Sequence, residues 1–181
     1  HDFGNFVGWT DVITGHTWND NLLGGVVGGS FGIGTNQWYV TDYGTNTGGW
    51  HGPSKRTSLP ESLQDFQIDH SVSSHSFTGD LGKNALLLLD ENDNIVASMG
   101  VVDRTPGSGY HNRVQFNLGG HKQIFDFRGF NNRNFWLRLR REGNLFTAIA
   151  YEMDDDGTMY NKVTRTFEDT LGEFLAPIRQ L

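Results

Sequence analysis

The fold is decided by residues 134–153, which read NFWLRLRREGNLFTAIAYEM. Apolar and polar side chains alternate from Phe135 to Arg141, and a second run of strand-forming residues starts at Leu145. Such alternation has the period of a β-strand, and the intervening Glu142-Gly143-Asn144 is typical of a tight turn. We therefore predict an antiparallel hairpin over this stretch.

The two faces of this hairpin follow from parity, because successive side chains of a strand point to opposite sides. One face is predicted to carry the apolar side chains Leu137, Leu139, Phe146, Ala148 and Ala150. The other face is predicted to carry Trp136, Arg138, Arg140, Thr147, Ile149 and Tyr151. The first face is expected to be core. The second is expected to be an aromatic and arginine platform on which Trp136 and Tyr151 are cross-strand neighbours.

Further strands make the whole chain all-β. Residues 158–167 follow an Asp-Gly turn at 154–157 and extend the hairpin into a three-stranded meander. Apolar runs at 85–90 and 94–102 flank a polar turn, which indicates a second hairpin buried on both faces. More strands are predicted at 66–72, 112–118 and 177–181. Helical turns are predicted at 59–63 and 168–175. Short strands between glycine-rich loops favour a two-sheet antiparallel β-sandwich.

Length and composition indicate a single domain. The 181 residues suffice for one core, and without cysteine the chain can form neither a disulfide nor a thiolate metal site. No apolar run approaches the roughly 18 residues of a membrane span, and no signal peptide is recognisable. Because the chain starts at His1 rather than at a methionine, we expect residues 1–181 to be one β-sandwich module excised from a longer protein.

The charge balance narrows the class of partner. The formal net charge is −7 with only 14 basic residues, and the sequence pI is about 5.4. Such a balance opposes binding to nucleic acid or to an anionic membrane surface. One local basic patch is expected from Arg133, Arg138, Arg140 and Arg141. These values favour a neutral or mixed-charge ligand.

Tryptophan placement suggests a ligand class. Four of the five tryptophans lie within the first fifty residues, at Trp9, Trp18, Trp38 and Trp50. A tryptophan ring can cover the C–H face of a sugar while its N–H donates to a hydroxyl. Carbohydrate binding is therefore the first function to consider. The alternative for each tryptophan is burial in the core.

Three motifs in the same order resemble siphophage tail proteins of Gram-positive hosts. The first is GWHGPS at 49–54, followed by Leu59-Pro60 and Asp65-Phe66. The second is LLLLDENDN at 86–94, and the third is DFRG at 126–129 leading to REGN at 141–144. Over residues 40–160 the chain resembles the carbohydrate-binding modules of evolved distal tail proteins (Dit) of lactobacillus phages. This resemblance implies a concanavalin-like jelly-roll sandwich in the virion, at the tail tip or baseplate. It also implies a host cell-wall saccharide as ligand and, through the parent chain, other tail and baseplate proteins as partners.

Candidate saccharide-binding residues fall into two groups. On the hairpin platform, Trp136 and Tyr151 could stack on a sugar while Arg138 binds hydroxyls bidentately. On a glycine-rich loop, Trp50 could stack while His51 supplies a hydrogen bond. Three further candidates at loop edges are Trp38, Tyr43 and Tyr110. The alternatives are that Trp50 closes a sandwich edge and that another segment covers the platform.

Two other functions compete with saccharide binding. Residues 152–156, EMDDD, resemble the carboxylate strand of concanavalin-like glycoside hydrolases. Retaining hydrolases hold two carboxyls about 5–5.5 Å apart, whereas strand residues four apart are separated by roughly 13 Å. We therefore interpret this run as a solvated turn and expect neither a catalytic residue nor an enzyme. The second competitor is a structural tail domain whose exposed aromatics contact protein.

Calcium is the remaining ligand that the acidic residues suggest. Residues 90–93 and 154–156 offer carboxylate oxygens of the kind that Ca²⁺ prefers, but neither run has the spacing of a defined calcium loop. Turn chemistry explains both runs. We therefore expect no metal and no cofactor.

Overall fold

The computed structural model describes the backbone of the chain in eight segments. These are residues 19–23, 30–34, 37–41, 52–56, 58–73, 83–102, 113–128 and 134–181. The described residues form strands and turns without any helix, and so include no helix able to cross a membrane. Contacts divide the chain into a first unit, His1–Leu59, and a second unit, Pro60–Leu181. The single-domain organisation of residues 1–181 stays a prediction.

The first unit contributes four short strands. They are β1 (Asn19–Leu23), β2 (Ser30–Gly34), β3 (Gln37–Thr41) and β4 (Gly52–Arg56). β1 pairs with β4, and β2 pairs with β3, both antiparallel. Trp38 lies in β3, where its backbone is in register with that of Ile33.

The remaining strands build two larger sheets. They are β5 (Ser58–Leu63), β6 (Phe66–Ser73), β7 (Lys83–Leu89), β8 (Ile95–Val102), β9 (Arg113–Leu118), β10 (Lys122–Phe127), β11 (Asn134–Glu142), β12 (Leu145–Met153), β13 (Met159–Glu168) and β14 (Ile178–Gln180). One sheet has six strands in the order β10-β9-β8-β7-β14-β5. The other has four strands in the order β13-β12-β11-β6.

These two sheets pack face to face. β6 and β11 contact β8, and β13 contacts β10. The four-stranded sheet buries Ile68, Leu137, Leu139, Phe146 and Ala148 completely. The six-stranded sheet buries Leu88, Met99, Val101, Phe116 and Leu118 completely. The predicted all-β, two-sheet antiparallel β-sandwich is therefore confirmed.

The hairpin predicted at 134–153 is confirmed as β11 and β12. Glu142 pairs with Leu145, which leaves a two-residue turn of Gly143 and Asn144. Gly143 has a φ of +57°, as expected for the first central residue of a type II′ turn. β13 pairs with β12 and completes the predicted meander.

Other predicted strands are also confirmed. β7 and β8 form the second hairpin, and every residue from Val96 to Val101 is buried. β6, β9 and β14 correspond to the strands predicted at 66–72, 112–118 and 177–181. β10 was not predicted, because its polar residues Lys122, Gln123 and Asp126 obscure the short apolar pattern.

The helical turns predicted at 59–63 and 168–175 are wrong. Residues 59–63 belong to β5, the last strand of its sheet, where Pro60 is tolerated because an edge strand leaves backbone donors unpaired. Residues 169–174 form consecutive turns instead of a helix. The Asp169 carboxylate accepts hydrogen bonds from the backbone N–H groups of Glu173 (3.1 Å) and Phe174 (2.7 Å). Gly172, with a φ of +72°, turns the chain out of the helical path.

Candidate functional site

The candidate site is the outer face of the four-stranded sheet, on the side opposite the core. Parity and register place three rows of side chains on this outer face. They are Gln67, Asp69 and Ser71 from β6, Trp136, Arg138 and Arg140 from β11, and Thr147, Ile149 and Tyr151 from β12. Burial alternates along β11 and β12, with core-facing residues buried and most outer ones half-buried. The two faces predicted for the hairpin are therefore confirmed.

Trp136 and Tyr151 form the aromatic part of the outer face. They lie directly opposite each other in the β11–β12 register, as predicted. On the other side of Trp136 the register partner is Ser71 of β6. Both aromatic side chains are half-buried. Directly opposed residues share one face of the sheet, so the register places both aromatic side chains on the outer face.

Arg138 is fixed in place by a carboxylate from the neighbouring strand. Its Nε and Nη2 atoms donate to the two carboxylate oxygens of Asp69 at 2.5 and 2.7 Å. Asp69 is only 2% exposed, and its hydrogen bonds raise the pKa of Arg138 above the usual value. This bidentate pairing occupies one edge of the guanidinium. Any donation from Arg138 to a ligand must therefore come from the Nη1–Nη2 edge.

A bulge in the edge strand lies beside Tyr151. The β12–β13 register shifts between Ala150 and Glu152, so that Tyr151 is opposite two residues, Asn161 and Lys162. Asn161 has a left-handed backbone, with a φ of +48°, which asparagine tolerates better than most residues. Its side-chain amide donates to the Glu152 carboxylate. The Lys162 ammonium lies 5.8 Å from the centroid of the Tyr151 ring.

Glu152 corrects our interpretation of the acidic run at 152–156. The turn over Asp154–Gly157 is confirmed, because the N–H of Gly157 donates to the carbonyl of Asp154 at 2.9 Å. Glu152, however, lies in β12 and is fully buried. Its position in the strand places it on the core side, with Ala150. Glu152 is thus a buried structural carboxylate rather than part of a solvated turn.

The expected basic patch is also wrong for the residues that the structure describes. Arg141 is 1% exposed and points into the core. Arg138 is paired with Asp69, and Arg140 is paired with Glu142. Arg133 lies outside the described residues. The patch fails because strand alternation places Arg141 on the opposite face, and because carboxylates compensate the charges of Arg138 and Arg140.

Asp90 and Asp156, one from each acidic run considered for calcium, stabilise their own turns. The Asp90 carboxylate accepts hydrogen bonds from the backbone N–H groups of Asn92 (2.8 Å) and Asn94 (2.9 Å), and the Asn94 amide lowers the pKa of Asp90. Asp156 accepts from the N–H of Thr158 at 2.8 Å. Within the described ranges, no group of three or more His, Asp or Glu side chains could hold a metal ion.

The remaining predicted site residues stay predictions. Trp50, His51, Tyr43 and Tyr110 lie outside the described residues, and Trp38 is located only by the backbone of β3. Two residues of the site were not predicted, Asp69 and Lys162. The alternation from Phe66 to Val72 could have placed Asp69 on a non-core face, but its pairing with Arg138 depends on the register between distant strands.

Comparisons with known proteins identify similar folds. No protein-family model and no curated protein sequence matches the chain. Among solved structures, the chain is similar to the CBM2 module of the evolved Dit of Lactobacillus casei BL23 phage J-1. The TM-score is 0.58 and the identity 19%, over 89% of this chain and 78% of that one. Another match is the metal-free lectin I-B4 of Griffonia simplicifolia, with a TM-score of 0.47 and 12% identity over 95% of this chain and 86% of the lectin. At 19% identity the likeness to the phage module is one of fold, and this chain has a β-sandwich fold similar to that of a phage carbohydrate-binding module.

Proposed function

We propose that this protein is a non-catalytic carbohydrate-binding module whose outer face holds a saccharide. The observation that carries the proposal is the Trp136–Tyr151 pair beside the Arg138–Asp69 ion pair. Two aromatic rings on a rigid sheet offer apolar area with little loss of rotamer freedom on binding. The guanidinium edge that Asp69 leaves open can donate to sugar hydroxyls.

The structure of the outer face supports binding rather than hydrolysis. Glycoside hydrolysis requires two carboxyl groups that reach the scissile bond. The Asp69 carboxylate is engaged with Arg138, and Glu152 belongs to the core side of the sheet. Among the described outer-face residues, no second carboxylate therefore stands beside the aromatic pair.

The fold similarity supports a more specific role. We propose that the module belongs to a phage tail tip or baseplate, joins other tail proteins through its parent chain, and attaches the virion to a host cell-wall saccharide. Five predicted residues, Trp38, Tyr43, Trp50, His51 and Tyr110, remain proposed saccharide-binding residues. Fold alone does not fix function, so the saccharide binding that this role requires is argued from the chemistry of the outer face.

The test is a binding assay of the whole chain against cell-wall polysaccharides purified from a panel of lactobacilli. We expect saturable binding to some of them, no release of reducing ends, and the same affinity with or without EDTA. Release of reducing ends would instead indicate a hydrolase. Affinity that EDTA removes and Ca²⁺ restores would indicate a metal site. Failure to bind any polysaccharide would contradict the proposed function.

A further inference from the structure

The charges of the outer face are unevenly compensated. Arg138 is neutralised by the buried carboxylate of Asp69, and Arg140 by the neighbouring Glu142. Lys162 is exposed and has no carboxylate partner among the described residues, its ammonium lying against the face of Tyr151 instead. An aromatic face attracts a cation without neutralising its charge. Within the described part of this face, Lys162 therefore carries the uncompensated positive charge.

The backbone position of Lys162 is set by the bulge in the edge strand. Asn161 has a left-handed backbone conformation, which is unfavourable for most residues other than glycine. Its amide is held by Glu152, a carboxylate that is buried despite the cost of desolvating it. An extra residue in a strand re-aims the side chains next to it. Here the bulge brings two residues opposite Tyr151, and one of them is Lys162.

We propose that Lys162 and Tyr151 form a subsite for an anionic substituent, a carboxylate or a phosphate, on the saccharide bound at the outer face. This inference rests on the proposed function. The Lys162 ammonium lies 5.8 Å from the centroid of the Tyr151 ring, so the substituents of a sugar held at this end of the outer face come within reach of a cation. The ammonium has three donors, and contact with the ring face leaves donors available for an anion.

The net charge of the protein predicts how this subsite works. A formal charge of −7 repels an anionic polymer at long range. The subsite therefore recognises the anionic substituent by short-range contact, and not by long-range electrostatic attraction of the polymer. Added salt screens the long-range repulsion and also weakens the contact of the exposed Lys162 ammonium, so the two effects oppose each other. Affinity for an anionic saccharide is accordingly expected to change little with moderate salt.

The experiment compares the whole chain with three variants on one wall polysaccharide that binds it. Lys162→Gln removes the charge, Lys162→Arg keeps it, and Arg140→Gln removes the other exposed cation of the face as a matched control. The polysaccharide is used untreated, after hydrofluoric acid has cleaved its phosphodiesters, and after carbodiimide reduction of its carboxylates. The last two preparations distinguish a phosphate from a carboxylate.

We expect Lys162→Gln to lose about tenfold in affinity for the untreated polymer, as for the loss of one charge-assisted contact. Lys162→Arg and Arg140→Gln should stay within about twofold of the parent chain, since each leaves a cation over Tyr151. One of the two treatments should abolish the difference in affinity between the parent chain and Lys162→Gln, because it removes the anion that Lys162 binds. Equal affinity of the parent chain and Lys162→Gln for all three preparations would overturn the subsite and leave the proposed function standing. Absence of binding to any polysaccharide would overturn both.

Discussion

A few buried polar or charged side chains determine how the stability of this molecule depends on pH and on substitution. Asp69, His70, Arg141 and Glu152 are all less than a tenth exposed. Burying a charge is costly unless hydrogen bonds compensate it. Asp69 is compensated by Arg138, and Glu152 accepts from Asn161. His70 avoids the cost in another way, because burial lowers its pKa to about 4 and keeps it neutral.

Because His70 is buried, we expect the free energy of unfolding to fall in mild acid. It lies in β6 opposite Leu137, on the core side. Its pKa is about 4 in the folded protein against the ordinary value of 6.5. Between pH 6.5 and pH 4 the imidazole of His70 is protonated in the unfolded chain but not in the folded one. Its protonation therefore does not reduce the free energy of unfolding above pH 6.5, and reduces it increasingly as the pH falls towards 4. The decline due to His70 between pH 7.5 and pH 5 should be about 2 kcal/mol.

Urea unfolding of the parent chain and of His70→Gln at both pH values measures this contribution. The variant should show the smaller pH dependence, while His121→Gln, which alters an exposed histidine, should match the parent. Equal pH dependence of the parent chain and His70→Gln would mean that His70 does not titrate as its burial requires.

At the scale of elements, strand β11 is the centre of the second unit. It pairs with β12 on one side and β6 on the other, and its two faces serve the core and the outer surface. Its last core-facing side chain is Arg141, which lies over the ring of Phe66 with its guanidinium carbon 4.9 Å from the centroid. Arg141 donates to backbone carbonyls of Leu63 (3.1 Å) and Ala176 (2.8 Å), and to that of Gln64. It thereby joins β11 to the end of β5 and to the segment before β14.

Arg141→Lys should destabilise the protein far more than Arg140→Lys. A lysine cannot reproduce a planar guanidinium that reaches several carbonyls at once, and each buried carbonyl left without a donor is costly. We expect a loss of at least about 3 kcal/mol for Arg141→Lys and less than about 0.5 kcal/mol for the exposed Arg140→Lys. Chemical denaturation of both variants gives the comparison. Similar stabilities would show that Arg141 does not hold these segments together.

The strands that sequence alone predicts are the ones whose pattern is local. The hairpin of β11 and β12 follows from alternation and a Gly-Asn turn, and its faces follow from parity. The same parity groups Arg141 with Leu139, but we predicted Arg141 in a surface basic patch, and arginine is seldom fully buried. The Arg138–Asp69 pair could not be predicted, since its partners are 69 residues apart and meet only through the register of β6 against β11.

At the scale of the molecule, the order of strands within the two sheets could not be predicted from sequence. β6 lies beside β11, and β14 lies between β7 and β5. In each case the neighbouring strands are far apart in the chain. Consecutive strands often pair, which is why the hairpins were predictable and these neighbours were not. The outer face depends on both kinds of pairing. Trp136 and Tyr151 meet through a local hairpin, whereas Asp69 reaches Arg138 only because β6 joins the sheet there.

The bulge opposite Tyr151 shows a further limit of sequence reasoning. Residues 158–167 predict a strand, and a regular strand would give Tyr151 a single partner. Asn161 with its left-handed φ inserts an extra residue, and the buried Glu152 holds it. Neither residue type is specific enough in sequence to predict a bulge. The shape of this end of the outer face therefore emerges only from the packed sheet.

The central claim, that a saccharide binds on the outer face of the four-stranded sheet, is tested most directly by separating affinity from stability on β11. Trp136 and Leu139 lie on opposite faces of this strand. Trp136→Ala, and likewise Tyr151→Ala, should weaken binding of wall polysaccharide by about 1–3 kcal/mol, as for the loss of one stacking ring. Leu139→Ala should lower the free energy of unfolding by about 2–5 kcal/mol and leave the affinity of the folded fraction unchanged. Full affinity in both Trp136→Ala and Tyr151→Ala, or a loss that follows their unfolding, would contradict the claim.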